Sequence, residues 1–465
     1  MNGTYAVELQ NVSFSYDGKA EVLRGLELRL PFGQFAVLQG ISGTGKTTLL
    51  SVINGVIPNI VSGKLSGKVL LSGVDVTDFS IGKRAGKIGS VLQNAEDQIV
   101  HDRVDDEVAF GCENMGLPPE EIEKRVAQAL GKTGLKPELS TRKLSGGQKQ
   151  KLITATTFAM GQRTLLLDEP LANLDRESAV RLLRTLKELT EQGCAVLLVE
   201  HRLDLVLPYA DVVYTLADGR LTVEADPQAL LTASSEIIPY DKEPFTGGEK
   251  LISIKDVYYT VRHVDVLRGV SMDIREGERL TVLGPNGCGK TTLLKLLARL
   301  IEPSAGGYEQ HLIRSQRVYA RPEWFRKAGY VYQNPSYQLF MPTLRQEIER
   351  GAASRERAAR MIELFGLSGL EDRHPQSLSE GQKRRADVAA VCATEPKVLF
   401  LDEPTVGQDF QNLKQMLDAL RTLQKESGCA LVTVTHDVRC KEALSDRRVI
   451  LKQGRIIARQ KAYES

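Results

Sequence analysis

Gly40-Ile41-Ser42-Gly43-Thr44-Gly45-Lys46-Thr47 follows the apolar run Phe35-Ala36-Val37-Leu38-Gln39 and leads into Thr48-Leu49-Leu50-Ser51-Val52-Ile53. The order is strand, glycine-rich loop, helix, with the spacing G-x-x-x-x-G-K-[ST] of a phosphate-binding loop. Glycines let successive backbone N–H groups close around phosphate oxygens, and the helix N-terminus adds a favourable dipole. Gly40, Ser42, Gly43, Gly45 and Thr48 are expected to line the cradle, Lys46 to reach the β- and γ-phosphates, and the Thr47 hydroxyl to ligate Mg²⁺.

The second half of the chain restates the first. Gly284-Pro285-Asn286-Gly287-Cys288-Gly289-Lys290-Thr291-Thr292 repeats the loop, with Gly284, Asn286, Gly287, Gly289, Lys290, Thr291 and Thr292 in the equivalent roles. Val22-Leu23-Arg24-Gly25 recurs as Val266-Leu267-Arg268-Gly269 at the same offset, and Gln93-Asn94 recurs as Gln333-Asn334. Leu144-Ser145-Gly146-Gly147-Gln148 returns as Leu378-Ser379-Glu380-Gly381-Gln382, and Leu167-Asp168-Glu169-Pro170 as Leu401-Asp402-Glu403-Pro404. Ser145 precedes Asp168 by as many residues as Ser379 precedes Asp402, which marks a duplicated fold. This predicts an α/β chain of two tandem P-loop NTPase domains, 1–235 and 250–465. A linker over 236–249 carries Pro239, Pro244, Gly247 and Gly248 among mixed charges.

The apolar runs 164–167 and 398–401 read as parallel strands buried on both faces. Asp168-Glu169 and Asp402-Glu403 then lie at strand carboxyl ends, where ligands bind in open α/β sheets. The aspartates are expected to hold Mg²⁺ through water, and the glutamates to polarise the water that attacks the γ-phosphate. His201 and His436 each follow a further apolar strand. A lone histidine there is more often structural, but the repetition assigns both to the γ-phosphate. The serine and glycines of 145–148 precede a helical pattern and so offer a second anion site.

Composition narrows the class. A net charge of +2, with 42% apolar and 26% charged residues, belongs to a soluble globular protein and provides no tail for coating nucleic acid. No apolar run approaches the roughly 18 residues of a membrane span, and no secretory signal opens the chain, so a cytosolic location is expected. The six cysteines form no Cys-x-x-Cys pair, which argues against a zinc or iron–sulfur site.

Together these motifs resemble the ATP-binding-cassette (ABC) family over nearly the whole of both halves; the LSGGQ segment is specific to it. The resemblance implies that each domain has a mixed-sheet core and an α-helical subdomain, binds ATP and Mg²⁺ and hydrolyses ATP. It also implies an intramolecular, head-to-tail cassette pair, favoured by tethering. One site would then use Tyr16 on adenine with Lys46, Gln93, Asp168, Glu169 and His201, completed by Ser379, Gly381 and Gln382. The other would use Lys290, Gln333, Asp402, Glu403 and His436 with Ser145, Gly147 and Gln148. Gln93 and Gln333 would also ligate Mg²⁺, and Asp175 and Asp409 match the family's D-loop.

The stretch Gln93 to Gln98, with Asp106-Glu107-Val108-Ala109-Phe110-Gly111, is similar to ATPases of energy-coupling factor (ECF) importers of vitamins and metal ions. That implies a peripheral subunit on the cytoplasmic face of the membrane, with a transmembrane coupling protein and a substrate-binding membrane protein as partners and no nucleic acid. Glu96, Asp97, Asp105, Asp106 and Glu107 would meet arginines of the membrane partner, where the second domain has Ser336 and Tyr337. A ribosome-acting tandem cassette and a fused-cassette sugar importer are the alternatives. The first is disfavoured by a short, acidic linker; the second typically has one damaged P-loop, and both are intact here. Three departures stand out: Val261 in the place of Tyr16, Glu380 in the place of a signature glycine, expected to slow turnover, and Cys288 inside the second loop, where a lowered thiol pKa and ATP-protected alkylation are expected.

Overall fold

The computed structural model describes residues 5–41, 43–92, 95–172, 174–230, 245–313, 322–405, 408, 410–435, 440 and 443–461. The chain divides into two compact units, Met1–Ser234 and Ser235–Ser465.

In the first unit the strand order of the main sheet is Arg220–Val223, Val212–Ala217, Phe35–Gln39, Ala195–Val199, Thr164–Asp168 and Ile88–Val91. All its neighbours are parallel except the Arg220–Val223 edge pair. Leu38 pairs with Val199, Asp168 with Val199 and Val91 with Leu167. That register brings four strand carboxyl ends to one edge, from which the motif loops leave. Because both faces of this sheet are covered, Thr164–Asp168 and Ala195–Val199 are buried at every position, which explains their unbroken apolar reading. A second, antiparallel sheet runs Leu23–Pro31, Tyr5–Ser15, Lys64–Leu71, Val74–Asp75.

The second unit repeats the plan with Ala328–Val331, Val398–Asp402, Ala430–Val434, Arg279–Leu283, Arg447–Lys452 and Arg455–Lys461, beside a three-stranded antiparallel sheet. Asp402 pairs with Val434 and Val331 with Leu401, so the same loops share one edge again.

Each unit also carries a group of helices, which in the second unit shares its apolar cluster with the sheet residues Val331, Leu399 and Leu401. Val104–Asn114, Pro119–Thr133 and Gly146–Met160 close on their own apolar cluster, including Val104, Val108, Leu130, Leu152 and Ala155. Each fully buried leucine or valine there contributes about 1.5–3 kcal/mol. In the second unit Leu344–Glu349, Arg355–Leu364 and Glu380–Ala393 take the same places, and their cluster runs on into the Phe410–Ser427 helix through Leu413, Leu417 and Leu420. The α/β class, with mixed sheets and a helical part in each half, is thus as expected from the sequence.

Candidate active sites

Two glycines show why the loop sequence is what it is. Gly45 has φ +100°, and a Cβ there would stand 2.9 Å from Val22 Cγ1; at Gly40 a Cβ would stand 2.5 Å from the Leu216 carbonyl oxygen. The loop so formed wraps its own lysine. Lys46 Nζ donates to the carbonyls of Gly40 (2.7 Å) and Ile41 (3.0 Å), and Lys290 Nζ to those of Gly284 (2.8 Å) and Pro285 (3.0 Å). Both ammonium groups are held across the mouth of a helix N-terminus, a donor set that fits phosphate. Gly43 and Gly287 face open space, where an added Cβ would meet nothing within 4 Å.

One residue further on, Thr47 Oγ1 donates to Asp168 Oδ2 at 2.8 Å, and Thr291 Oγ1 to Asp402 Oδ1 at 3.0 Å. Hydroxyl and carboxylate together form an oxygen set suited to a hard cation such as Mg²⁺. Burial, then the neighbouring Glu169, pushes the Asp168 carboxyl up to about 7; burial also raises Asp402. Such buried acids stay costly without a cation or donors around them.

Glu169 and Glu403 both adopt left-handed backbone, φ +48° and +51°. Non-glycine residues rarely do so, and here the turn is held because Glu169 N–H donates to Val199 O (3.0 Å) and Glu403 N–H to Val434 O (2.9 Å). Each glutamate therefore leaves its strand sideways, beside the preceding aspartate. His201 Nε2 lies 3.2 Å from Glu169 Oε1, yet that nitrogen makes no hydrogen bond, so the contact is one of proximity. Ser42, Gln93, Asn94, Asp409 and His436 lie outside the described residues; Gln333 is half-buried just after the Ala328–Val331 strand.

Glu200, which sequence reasoning passed over, is buried and raised in pKa by that burial. Its Oε1 accepts from Leu171 N–H and its Oε2 from the N–H groups of His201 and Arg202, tying the segment after Asp168-Glu169 to the histidine loop. The second half has Thr435 there, bonded to Thr405 at 2.9 Å. Only a comparison of Val-Glu-His with Val-Thr-His between the halves signals it.

The signature segments are capping boxes. Ser145 Oγ accepts from Gln148 N–H and Gln148 Oε1 from Ser145 N–H; Ser379 and Gln382 repeat this. A capping hydroxyl that accepts still has its own proton to donate. Gly147 and Gly381 are buried just inside each helix, and Gln408 Nε2 donates to Gly381 O. Asp175 caps the Arg176–Glu191 helix through Ser178 N–H.

Several expectations need correction. Glu380 is no bare negative charge at the signature: Lys383 Nζ pairs with it at 2.8 Å. In the first unit the equivalent Lys149 pairs instead with Glu96. Glu107 is buried, accepting from Val100 and His101 N–H, and Asp105 is held by Arg103. Of the acidic set expected to meet a partner, Asp97 and Asp106 remain exposed, Asp106 with Arg103 3.7 Å away. Cys288 is buried and its thiol pushed up, burial outweighing Lys290, so it is not the activated thiol expected. Tyr16 is half exposed, its hydroxyl 2.8 Å from Thr48 Oγ1, while Val261 presents only an exposed aliphatic side chain.

Comparison with known proteins completes the picture. The profile of the family "ABC transporter" matches residues 23–172 and 267–406. A Methanosarcina mazei protein named "Putative ABC transporter ATP-binding protein" is 32% identical over 98% of this chain and 89% of its own length. The Bacillus subtilis "Putative HMP/thiamine import ATP-binding protein YkoD" is 31% identical over 95% and 89%. Among solved structures, an RNase-L inhibitor shares the fold with a TM-score of 0.63 at 20% identity, over 98% of this chain and 91% of that one. The repeated loop, lysine, Thr–Asp pair and signature cap, matched in family and along nearly the full length of these relatives, make this chain a member of the ABC transporter family: an ATP-binding, ATP-hydrolysing protein with two tandem ABC ATPase regions.

Proposed function

We propose that the chain energises an ECF-type importer, binding Mg-ATP at two sites and driving uptake of a vitamin or metal ion through separate membrane subunits. The observation that carries the two-site reading is the Thr–Asp pair beside the loop-held lysine, built twice with the same partners. Lys46 and Lys290 bind the β- and γ-phosphates, and Thr47 with Asp168 and Thr291 with Asp402 hold the cation. Mg²⁺ bound there would supply charge neutralisation across those phosphates. Glu169 and Glu403, aimed off their strands, orient the attacking water and accept its proton. His201, next to Glu169, faces the same phosphate.

The importer half of the reading is supported by the curated relatives, by the absence of a membrane-crossing helix among the described residues, and by Asp97. Asp97 sits exposed in the one-turn helix Ala95–Gln98, directly after the Gln93 segment. A partner arginine buried against it would be worth about 2–5 kcal/mol on disruption. Purification of the tagged chain from membranes tests this. Co-purifying integral membrane proteins are expected, with the complex weakened in Asp97→Ala while ATPase activity of the isolated chain is retained. Ribosomes in place of membrane proteins would overturn the importer reading, and unchanged assembly of Asp97→Ala at low and high salt would remove Asp97 from it.

A further inference from the structure

The two aspartates at the strand ends are not held alike. Asp168 takes one hydrogen bond among the described residues, from Thr47 to Oδ2. Asp402 takes two, on opposite oxygens: Thr291 Oγ1 to Oδ1 at 3.0 Å and Tyr330 Oη to Oδ2 at 3.2 Å. The cause is one strand position. Ala328–Val331 runs parallel to Val398–Asp402, with Tyr330 opposite Phe400, so a long side chain at 330 reaches past the strand end. In the first unit Ile88–Val91 runs beside Thr164–Asp168 in the same way, with Ser90 opposite Leu166. A serine hydroxyl, one bond from its Cβ, does not span that distance. The Tyr330 ring is buried in the sheet core, edge-on to Tyr332 with centroids 4.7 Å apart, so its hydroxyl is fixed by packing.

We infer that Tyr330 is a positioning residue for the divalent cation of the second site, setting the rotation of the Asp402 carboxylate; the inference rests on the two-site reading above. Each carboxylate oxygen has two lone-pair positions, so the two donors leave one on each oxygen for the cation or its water. With both oxygens held, the carboxylate cannot turn about its last bond. Outer-shell partners of this kind typically account for 10–100-fold in metal affinity. Among the described residues the first site lacks this restraint.

The test uses the full chain with Lys46→Ala, which confines nucleotide to the second site, and follows free Mn²⁺ by electron paramagnetic resonance during titration at saturating adenylyl imidodiphosphate. Tyr330→Phe keeps the buried ring and removes only the hydroxyl. The Mn²⁺ concentration for half-saturation is expected to rise about 10-fold or more. Nucleotide affinity in excess chelator should stay within about twofold of the parent, which a merely structural role would not separate. In the Lys290→Ala chain, Ser90→Ala should leave the Mn²⁺ titration unchanged. Superimposable Mn²⁺ titrations of parent and Tyr330→Phe would overturn the inference while leaving the site reading intact. If the Lys46→Ala parent binds no nucleotide, both fall.

Discussion

Glu169 and Glu403 occupy left-handed backbone that glutamate avoids, each anchored by a hydrogen bond from its own N–H to the neighbouring strand. One uncommon conformation kept at the same motif position in both halves of a duplicated chain argues for use rather than accident. Around them the halves differ residue by residue: Tyr16 against Val261, Ser90 against Tyr330, Glu200 against Thr435. Tyr16 offers a half-exposed ring near the loop, and stacking of a base on an aromatic side chain contributes about 1–3 kcal/mol. With the second site silenced by Lys290→Ala, Tyr16→Ala is expected to weaken ATP binding about 5- to 100-fold. With the first silenced by Lys46→Ala, Val261→Ala should change it by no more than about twofold. Isothermal titration calorimetry distinguishes the cases; a Tyr16→Ala loss no greater than that of Val261→Ala would mean that adenine does not stack on Tyr16.

At the scale of elements, the helix that begins at the signature shows what sequence patterns carry and what they miss. Ser-x-x-Gln is legible as a helix start because the capping box fixes that spacing. The partner of the lysine that follows is not legible, since it depends on which acid the fold brings within reach. Lys149 finds Glu96, 53 residues away in sequence, whereas Lys383 finds Glu380 on its own helix. The same helix hides Asp387, where the first half has Ile153. Asp387 is buried with no hydrogen bond to either oxygen, and burial raises its pKa well above 3.8. Arg384 and Cys392 on its own helix, and Glu347 and Tyr332 from the elements packed against it, are the charged and titratable groups that face it. A carboxyl whose folded pKa is raised contributes stability that is complete below its unfolded pKa and is lost as pH rises through the folded value. Thermal unfolding of the chain is therefore expected to include a component that weakens from about pH 4 upward. Asp387→Asn should remove it. An identical pH dependence in Asp387→Asn and parent would show that the group stays ionised.

On the scale of the molecule, the fold class was readable because a parallel strand buried on both faces must be continuously apolar, and because everything occurs twice. The strand ends at Asp168 and Asp402, the loops and both signature helix starts followed directly from sequence. Side-chain use escaped it: that Glu107 is spent on the backbone of Val100 and His101 depends on how the intervening turn folds, and that Glu200 also reaches Leu171 N–H is set only when two separate segments meet. The buried thiol of Cys288 teaches the same lesson, since a helix N-terminus and a nearby lysine lower a thiol's pKa only where desolvation does not outweigh them.

The central claim is that one chain holds two nucleotides, one at each Lys–Thr–Asp arrangement. Equilibrium dialysis of radiolabelled Mg-ATP against the full chain carrying Glu169→Gln and Glu403→Gln, which is expected to bind without turnover, measures it most directly. Two nucleotides per chain are predicted, falling to one when either Lys46→Ala or Lys290→Ala is added and to none with both. A single nucleotide per chain, or two that survive loss of either lysine, would contradict it.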